Sequence, residues 1–124
     1  MTPLATLLYN AATDNLDDAV LHWRDESAVT VVLAAQGYPE SPKTGAAISS
    51  IPAIDKSQVF HAGTSDSSGA LLSTGGRVLT VTGTGADLTE ARDRAYRAIS
   101  QIELEGSFYR SDIALNASVA EKGN

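Results

Sequence analysis

The chain has 124 residues, a length that fits a single domain with one modest hydrophobic core. Its composition, 43% hydrophobic and 19% charged, is typical of a globular protein and excludes extensive disorder. Lys+Arg 9 against Asp+Glu 15 gives a net charge of −6, which repels phosphate backbones, so we expect no nucleic-acid partner. The lack of cysteine excludes disulfides, thiolate catalysis and cysteine-ligated metal centres.

The first predicted element is a short helix that Thr2 caps and Pro3 begins. Leu4, Leu7 and Leu8 give it an apolar stripe at helical spacing, and residues 13–15 end it. About ten residues make only a marginal helix in isolation, so we expect this stripe to pack against another part of a protein.

Six strands are predicted, over residues 19–24, 28–35, 46–49, 58–62, 70–73 and 77–82. The first two form a hairpin through a polar turn, and the β-branched run in the second predicts burial on both of its faces. The stretch 36–45 has turn chemistry throughout and is either a mobile connector or a functional lid. Loop 63–69 separates two of the later strands, and the turn 74–76 introduces the last one.

The strongest helix signal covers residues 88–102, where Asp87 and Glu90 form a capping-box pattern. The predicted core face consists of Leu88, Ala91, Ala95, Ile99 and Ile102. On the opposite side, Glu90–Arg94 and Asp93–Arg97 are spaced as ion pairs, and Arg92, Arg94 and Arg97 are interpreted as a solvated face.

The tail, residues 107–120, is expected to dock on the body of the domain before a polar end at 121–124 frays. A helix, several short strands and a second helix predict an α+β fold with a mostly antiparallel sheet covered on one face. No apolar run is long enough for a membrane helix and no secretory signal is visible, so we expect a soluble cytoplasmic protein without a membrane partner.

The candidate binding residues lie around the turn at 74–76. Gly75 and Gly76 let a ligand approach the backbone closely, and Arg77 at the strand entrance can hold a phosphate or carboxylate. The alternative is a tight turn whose arginine pairs with a neighbouring acid. His61, beside a glycine turn, is a weaker candidate, and a ring hydrogen-bonded to the loop backbone is the preferred interpretation.

Several other patterns favour structural roles. The stretch 83–85 lacks the third glycine of a dinucleotide loop and is interpreted as a strand-to-helix turn. The pairs Asp17-Asp18 and Asp25-Glu26 are assigned to turns rather than to metal ions, and His22 to a structural or solvent-facing position. The stretch 37–39 predicts a rigid turn that presents Tyr38 to another domain.

Five segments, in this order, carry a family resemblance. They are Val31-Val32-Leu33-Ala34-Ala35-Gln36-Gly37-Tyr38-Pro39, Val59-Phe60-His61-Ala62-Gly63-Thr64, Gly75-Gly76-Arg77-Val78-Leu79 with Val81-Thr82, Ala91-Arg92 through Ala95-Tyr96, and Phe108-Tyr109-Arg110-Ser111-Asp112-Ile113. Their order and spacing resemble the carboxy-terminal part of phosphoribosylamine–glycine ligase, the glycinamide ribonucleotide synthetase of purine biosynthesis. The family continues Asp-Ile-Gly-Trp-Arg, whereas Ala114 follows Asp112-Ile113 here.

The resemblance implies a small, partly open antiparallel half-barrel of the rudiment single hybrid motif type, with a long covering helix and short terminal helices. It assigns residues 1–15 to the last helix of an ATP-grasp core that precedes this chain, and residues 16–124 to the carboxy-terminal domain. The full-length enzyme joins glycine to 5-phosphoribosylamine with ATP and Mg or Mn. This chain alone is expected to bind neither cofactor and to be inactive, with the core of the same polypeptide as its partner.

Within this chain the resemblance implies no catalytic or metal-binding residue. Gly75, Gly76, Arg77 and His61 are the candidate substrate-binding residues. The alternative is a stand-alone binding or interaction module that reuses the domain. A piece of the ligase should expose the apolar stripe of the first helix, whereas a complete small protein should bury it.

Overall fold

The computed structural model describes residues 2–16, 19–51, 53–67 and 69–123. The helices are α1 (Leu4–Ala12), α2 (Leu88–Ile99) and α3 (Leu115–Lys122). The strands are β1 (Ser27–Ala34), β2 (Ile48–Ser50), β3 (Ser57–His61), β4 (Thr64–Ser65), β5 (Leu72–Ser73), β6 (Arg77–Gly85) and β7 (Glu103–Leu104).

The main sheet has three antiparallel strands in the order β1-β6-β3. On one side of β6 the register runs from Ser27 opposite Gly85 to Ala34 opposite Arg77, with an irregularity after Leu33. On the other side it runs from Ser57 opposite Gly83 to His61 opposite Leu79. The central strand alternates Leu79 and Val81 with threonines, so one face of the sheet is apolar.

The hydrophobic core lies between that apolar face and α2. Its fully buried residues include Val31, Leu33, Leu79, Val81, Ala91, Ala95 and Ile99. A Cβ atom on Gly83 would lie 2.4 Å from the Ala91 carbonyl oxygen, so this glycine lets the helix approach the strand closely. Gly83 and Gly85 thus belong to β6, and the prediction of a strand-to-helix turn at 83–85 is wrong.

Two separate two-stranded ladders accompany the main sheet. The strands β2 and β7 form one pair and β4 and β5 form another, with an isolated bridge between Ala47 and Leu72. Together with α2 and the short terminal helices they give a partly open antiparallel α+β fold, which confirms the predicted fold class.

Three acidic side chains accept hydrogen bonds at the amino-terminal end of α2: Asp87, Glu90 and Glu121. The Glu90 N–H donates to Asp87 Oδ1 at 2.7 Å, as the capping-box pattern predicts, and Glu90 accepts from the Ala86 N–H at 2.8 Å. Glu121 of α3 accepts from the Leu88 N–H at 2.6 Å. The polar end is therefore anchored at Glu121 rather than frayed there, because its carboxylate satisfies a first-turn donor of another helix.

The amino-terminal region differs from the prediction. Residues 19–24 form no strand, and the predicted hairpin with β1 is absent, because the backbone groups of Val20 and His22 bond to Thr2 rather than to β1. Thr2 does not cap α1. Its hydroxyl donates to the Val20 carbonyl at 2.9 Å and accepts from the His22 N–H at 2.9 Å, which ties the start of the chain to this segment.

The carboxy-terminal tail docks on the sheet and on α2, as predicted. Phe108 and Ala34 exchange two backbone hydrogen bonds at 2.8 and 3.0 Å. Arg92 donates to the carbonyl oxygens of Ile113 at 3.0 Å and Ser111 at 2.5 Å, and it lies over the Tyr96 ring. The interpretation of Arg92 as part of a solvated face is therefore wrong, since it anchors the tail.

Candidate functional site

The ends of β3 and β5 and the start of β6 meet at one place. The Gly63 N–H donates to the Arg77 carbonyl at 2.9 Å, and the Thr74 N–H donates to the Gly63 carbonyl at 2.8 Å. A Cβ atom on Gly63 would lie 2.8 Å from the Gly75 nitrogen, so the two turns touch through glycine backbone. Three of the predicted site residues, Gly75, Gly76 and Arg77, are thereby placed beside the loop that follows His61.

Arg77 carries a guanidinium with no partner in the described part of the chain. Arg110, which lines one groove together with Arg77, pairs with Asp112 at 2.6 Å. None of the described carboxylates lies within ion-pair distance of Arg77, so the alternative of a pairing with a neighbouring acid finds no support among the described residues. Arg77 is exposed and available to an anion.

The ring of Tyr38 packs directly against Gly76 and occupies the space that a side chain would need there. A Cβ atom on Gly76 would lie 2.4 Å from Tyr38 Cδ2 and 3.3 Å from Pro42 Cβ. The loop that carries Tyr38 turns at Gly37, whose φ of 84° is a left-handed value that suits glycine. Gly76 thus fixes Tyr38 next to Arg77.

His61 is exposed at the end of β3, opposite Leu79. Its Nδ1 lies 3.0 Å from the Thr64 hydroxyl. The ring therefore hydrogen-bonds within its loop, as preferred from the sequence, although the partner is a side chain rather than the backbone.

The loop 36–45 is fastened at both ends. The Lys43 N–H donates to the Gln36 carbonyl at 2.8 Å, and the Gly45 N–H donates to the Ser73 carbonyl at 2.7 Å. The buried Ser73 hydroxyl accepts from the Ala46 N–H at 3.1 Å. These bonds hold the position of Tyr38 and Pro39 relative to β6.

A groove of about 310 Å³ opens beside Arg77. Its lining consists of Val32, Ala34, Tyr38, Pro39, Phe108 and Tyr109, with Arg77 and Arg110 at the rim. We call it the Phe108 groove. Val32 and Phe108 are 38% and 45% exposed, so the prediction that β1 is buried on both faces is wrong at Val32.

The candidate carboxylates do not assemble into a metal site among the described residues. Glu26 lies 3.7 Å from Arg24 and 3.8 Å from Lys56, and no three His, Asp or Glu side chains in residues 2–16, 19–51, 53–67 and 69–123 are grouped to hold an ion. Asp17 and Asp18 lie outside the described residues. None of the described helices is long and apolar enough to cross a membrane.

The contact between Arg110 and Asp112 shifts the pKa of both side chains. The hydrogen bonds from Arg110, at 2.8 and 2.6 Å, lower the pKa of Asp112, and the same contact raises the pKa of Arg110. Arg110 thus has an ionic partner, whereas Arg77 has none among the described residues.

Three comparisons bear on identity. Residues 28–116 match the family model described as phosphoribosylglycinamide synthetase, C domain. The chain is 54% identical over 125 residues to the phosphoribosylamine–glycine ligase of Streptomyces coelicolor, covering 96% of this chain and 30% of the relative. It is 50% identical over 119 residues to that of Mycobacterium bovis, covering 94% and 28%.

A crystal structure of phosphoribosylamine–glycine ligase from Thermotoga maritima has the same fold over the matched region. The TM-score is 0.64 at 45% identity, over 70% of this chain and 22% of the solved one. The chain thus spans about 30% of the length of the ligases it resembles. By the family match and by these relatives, it belongs to the phosphoribosylglycinamide synthetase C-domain family.

Proposed function

We propose that this chain is the carboxy-terminal domain of an ATP-dependent ligase that joins glycine to 5-phosphoribosylamine in purine biosynthesis. The products are glycinamide ribonucleotide, ADP and phosphate. The observation that carries the proposal is the 54% identity across 96% of this chain to an enzyme named for that reaction. The same proposal places the protein in the cytoplasm.

The exposed apolar surface of α1 supports the assignment of this helix to the ATP-grasp core. None of the side chains of α1 is buried, and Leu4, Leu8 and Tyr9 are 68%, 62% and 69% exposed. An apolar stripe open to solvent is costly unless another surface covers it. We assign residues 1–15 to the last helix of the ATP-grasp core of the same polypeptide, and residues 16–124 to the domain that closes on it.

The described residues do not fit the metal that such a reaction needs, because no suitable group of His, Asp or Glu side chains comes together in them. The proposal therefore assigns ATP and Mg²⁺ or Mn²⁺ to the core. We expect the isolated chain to be inactive. Its contribution is to shape and close the substrate site.

Within that contribution, Arg77 is the residue we assign to substrate. Its guanidinium is exposed and unpaired among the described residues, and it can hold a phosphate or carboxylate. The turn that carries Gly75 and Gly76 packs closely beside it, because Gly63 leaves room for the Gly75 backbone and Gly76 leaves room for the Tyr38 ring. His61, bonded to Thr64, lies on the adjoining strand and completes the candidate set.

The test is a chimera in which this chain replaces the matched segment of the Streptomyces coelicolor ligase. We expect ADP release that requires both glycine and phosphoribosylamine, and none from this chain alone. A chimera that melts cooperatively like the parent enzyme but releases no ADP would contradict the proposal.

An immunoblot of source cells distinguishes a domain of the ligase from a stand-alone module, since a band near 12.9 kDa would indicate the stand-alone module.

Arg77→Ala in the active chimera should lower kcat/KM by about 10- to 100-fold, because it removes a charge-assisted contact worth roughly 1.5–3 kcal/mol. Arg97→Ala, an exposed arginine on α2, is the matched control and should leave kcat/KM within about twofold of the parent. Unchanged kinetics in the Arg77→Ala chimera would remove Arg77 from the substrate site.

A further inference from the structure

We propose that the Phe108 groove is the seat on which the catalytic core of the same polypeptide docks, with an apolar side chain of the core inserted beside Arg77. This inference rests on the proposed function and adds to it the contact surface and the chemistry of the docking group.

The groove has the chemistry of an interface centre. Its lining is mostly apolar, with the aliphatic Val32 and Pro39 and the rings of Tyr38 and Phe108, and Arg77 and Arg110 are its charged residues. An apolar centre inside a polar rim is the usual arrangement of a protein–protein contact. Val32 and Phe108 remain 38% and 45% exposed in this chain, so the surface is uncovered here.

The walls are held in place before any partner arrives. Phe108 is fixed by its two backbone bonds to Ala34, and Tyr38 by its contact with Gly76. The Ser41 N–H donates to the Gly37 carbonyl at 2.8 Å and closes the turn that carries Pro39. Little conformational freedom remains to be lost on docking, which favours binding.

The uncovered surface continues across the sheet. Thr80 of β6 lies opposite Val32 on one side and Phe60 on the other, and Phe60 is 50% exposed. The Thr30 and Thr82 hydroxyls, 2.8 Å apart, bond to each other on the same face. This face is opposite the one that α2 covers, so a partner can reach the groove without displacing the core.

The length of the related ligases indicates that the core of the same polypeptide occupies the Phe108 groove. Ligases of this family contain this domain as about 30% of their length, so more than twice as much polypeptide accompanies it. Covalent linkage gives that polypeptide a high effective concentration at the domain surface. A core seated in the groove would face Arg77, whereas Arg110 already pairs with Asp112.

Cysteine labelling tests the proposal, because this chain has no cysteine of its own. Val32→Cys and Phe108→Cys are made separately, in the isolated chain and in the chimera with the Streptomyces coelicolor ligase. Maleimide labelling is followed on the peptide that contains each new thiol. Asp93→Cys, exposed on α2, is the matched control, and thermal melting verifies that each variant folds.

We expect both groove thiols to react at least tenfold more slowly in the chimera than in the isolated chain, while the Asp93→Cys thiol reacts at the same rate in both. An active chimera whose groove thiols react as fast as in the isolated chain would overturn the inference and leave the proposed function standing. An inactive, cooperatively melting chimera would overturn both. Protection in the isolated chain that grows with its concentration would assign the groove to a second copy, and so also overturn the inference.

Discussion

At the scale of single residues, the backbone at Ala114 and Gly83 affects the stability of α3 and the packing of α2. Ala114 begins α3 with φ 58° and ψ 9°, a left-handed conformation that costs a residue with a side chain about 1–2 kcal/mol. The family pattern noted from the sequence has glycine at this position. Gly83, by contrast, is a glycine that the close approach of α2 requires.

Ala114→Gly should raise the free energy of unfolding by about 0.5–1 kcal/mol, because the strain removed exceeds the added entropy of the unfolded chain. Ala117→Gly, inside α3, should lower it by about 1 kcal/mol. Urea denaturation of the two variants distinguishes the effects by their opposite signs. A loss of stability in both would show that Ala114 is not strained.

Gly83→Ala should lower the free energy of unfolding by about 1–3 kcal/mol, since the new methyl group would meet backbone atoms of Ala91 and Ala95 at 2.4 and 2.5 Å. Gly75→Ala is the control, because its Cβ would meet only the Gly63 Cα at an ordinary 3.5 Å. Equal midpoints for Gly83→Ala and the parent chain in urea would mean that α2 shifts without cost.

The pKa of Asp112 should be measurably below the ordinary aspartate value, and Arg110→Gln should return it toward that value. A lowered pKa in the folded state means that the contact stabilises the fold above the unfolded pKa. That stabilisation is lost as the pH falls through the folded pKa. Carboxyl NMR titration measures both pKa values, and an identical titration midpoint in the two proteins would contradict the assignment to Arg110.

At the scale of elements, α1 is connected to the segment that follows it through Thr2, two residues before the helix begins. Thr2 bonds to Val20 and His22, while the helix itself buries no side chain among the described residues. Trp23 beside this segment is 85% exposed. The helix and the segment after it thus leave apolar side chains exposed in the described structure.

Leu8→Lys should change the free energy of unfolding of the isolated chain by less than about 0.5 kcal/mol, because Leu8 is 62% exposed. Urea denaturation of the isolated chain measures the change. Ile99→Ala, at a buried core position, is the positive control and should lower the free energy of unfolding by about 2–5 kcal/mol. A large loss for Leu8→Lys would show that α1 packs on the domain.

Elements whose residue pattern is contained in a short segment could be predicted from the sequence. Elements that depend on contacts with distant segments could not. The alternation of β6 and the Asp87 cap of α2 are local, and both are present. Residues 19–24 are also predicted as a strand, yet they form none, because the backbone of Val20 and His22 bonds to Thr2 rather than to a neighbouring strand. The two-residue ladder of β4 and β5 depends on tertiary contacts that no short pattern shows.

The candidate site divides in the same way. Arg77, Gly76 and His61 stand out in the sequence as a cation, a turn glycine and a strand-end imidazole, and the structure brings their segments together. The Phe108 groove has no signal in the sequence, because it joins Val32 and Tyr38 to Phe108, which lies far from them in the chain. Tyr38 alone had a signal, in the rigid turn formed with Gly37 and Pro39.

For the whole molecule, the two faces of one strand serve two purposes. The face of β6 that carries Leu79 and Val81 holds the domain together under α2, and the face that carries Thr80 and Thr82 lies toward the uncovered side of the sheet. Because these positions alternate, the core and the proposed docking surface are separated by no more than one residue along the chain.

That alternation determines where the gene can tolerate changes in length. One codon inserted within β6 would turn every later side chain of the strand to the opposite face, so valine would be exposed and threonine buried in a single step. Both neighbouring strands would lose their partners together, because β6 pairs with each of them. Insertions that survive in relatives should therefore fall in the connecting loops, and β6 should keep a constant length wherever the fold is retained.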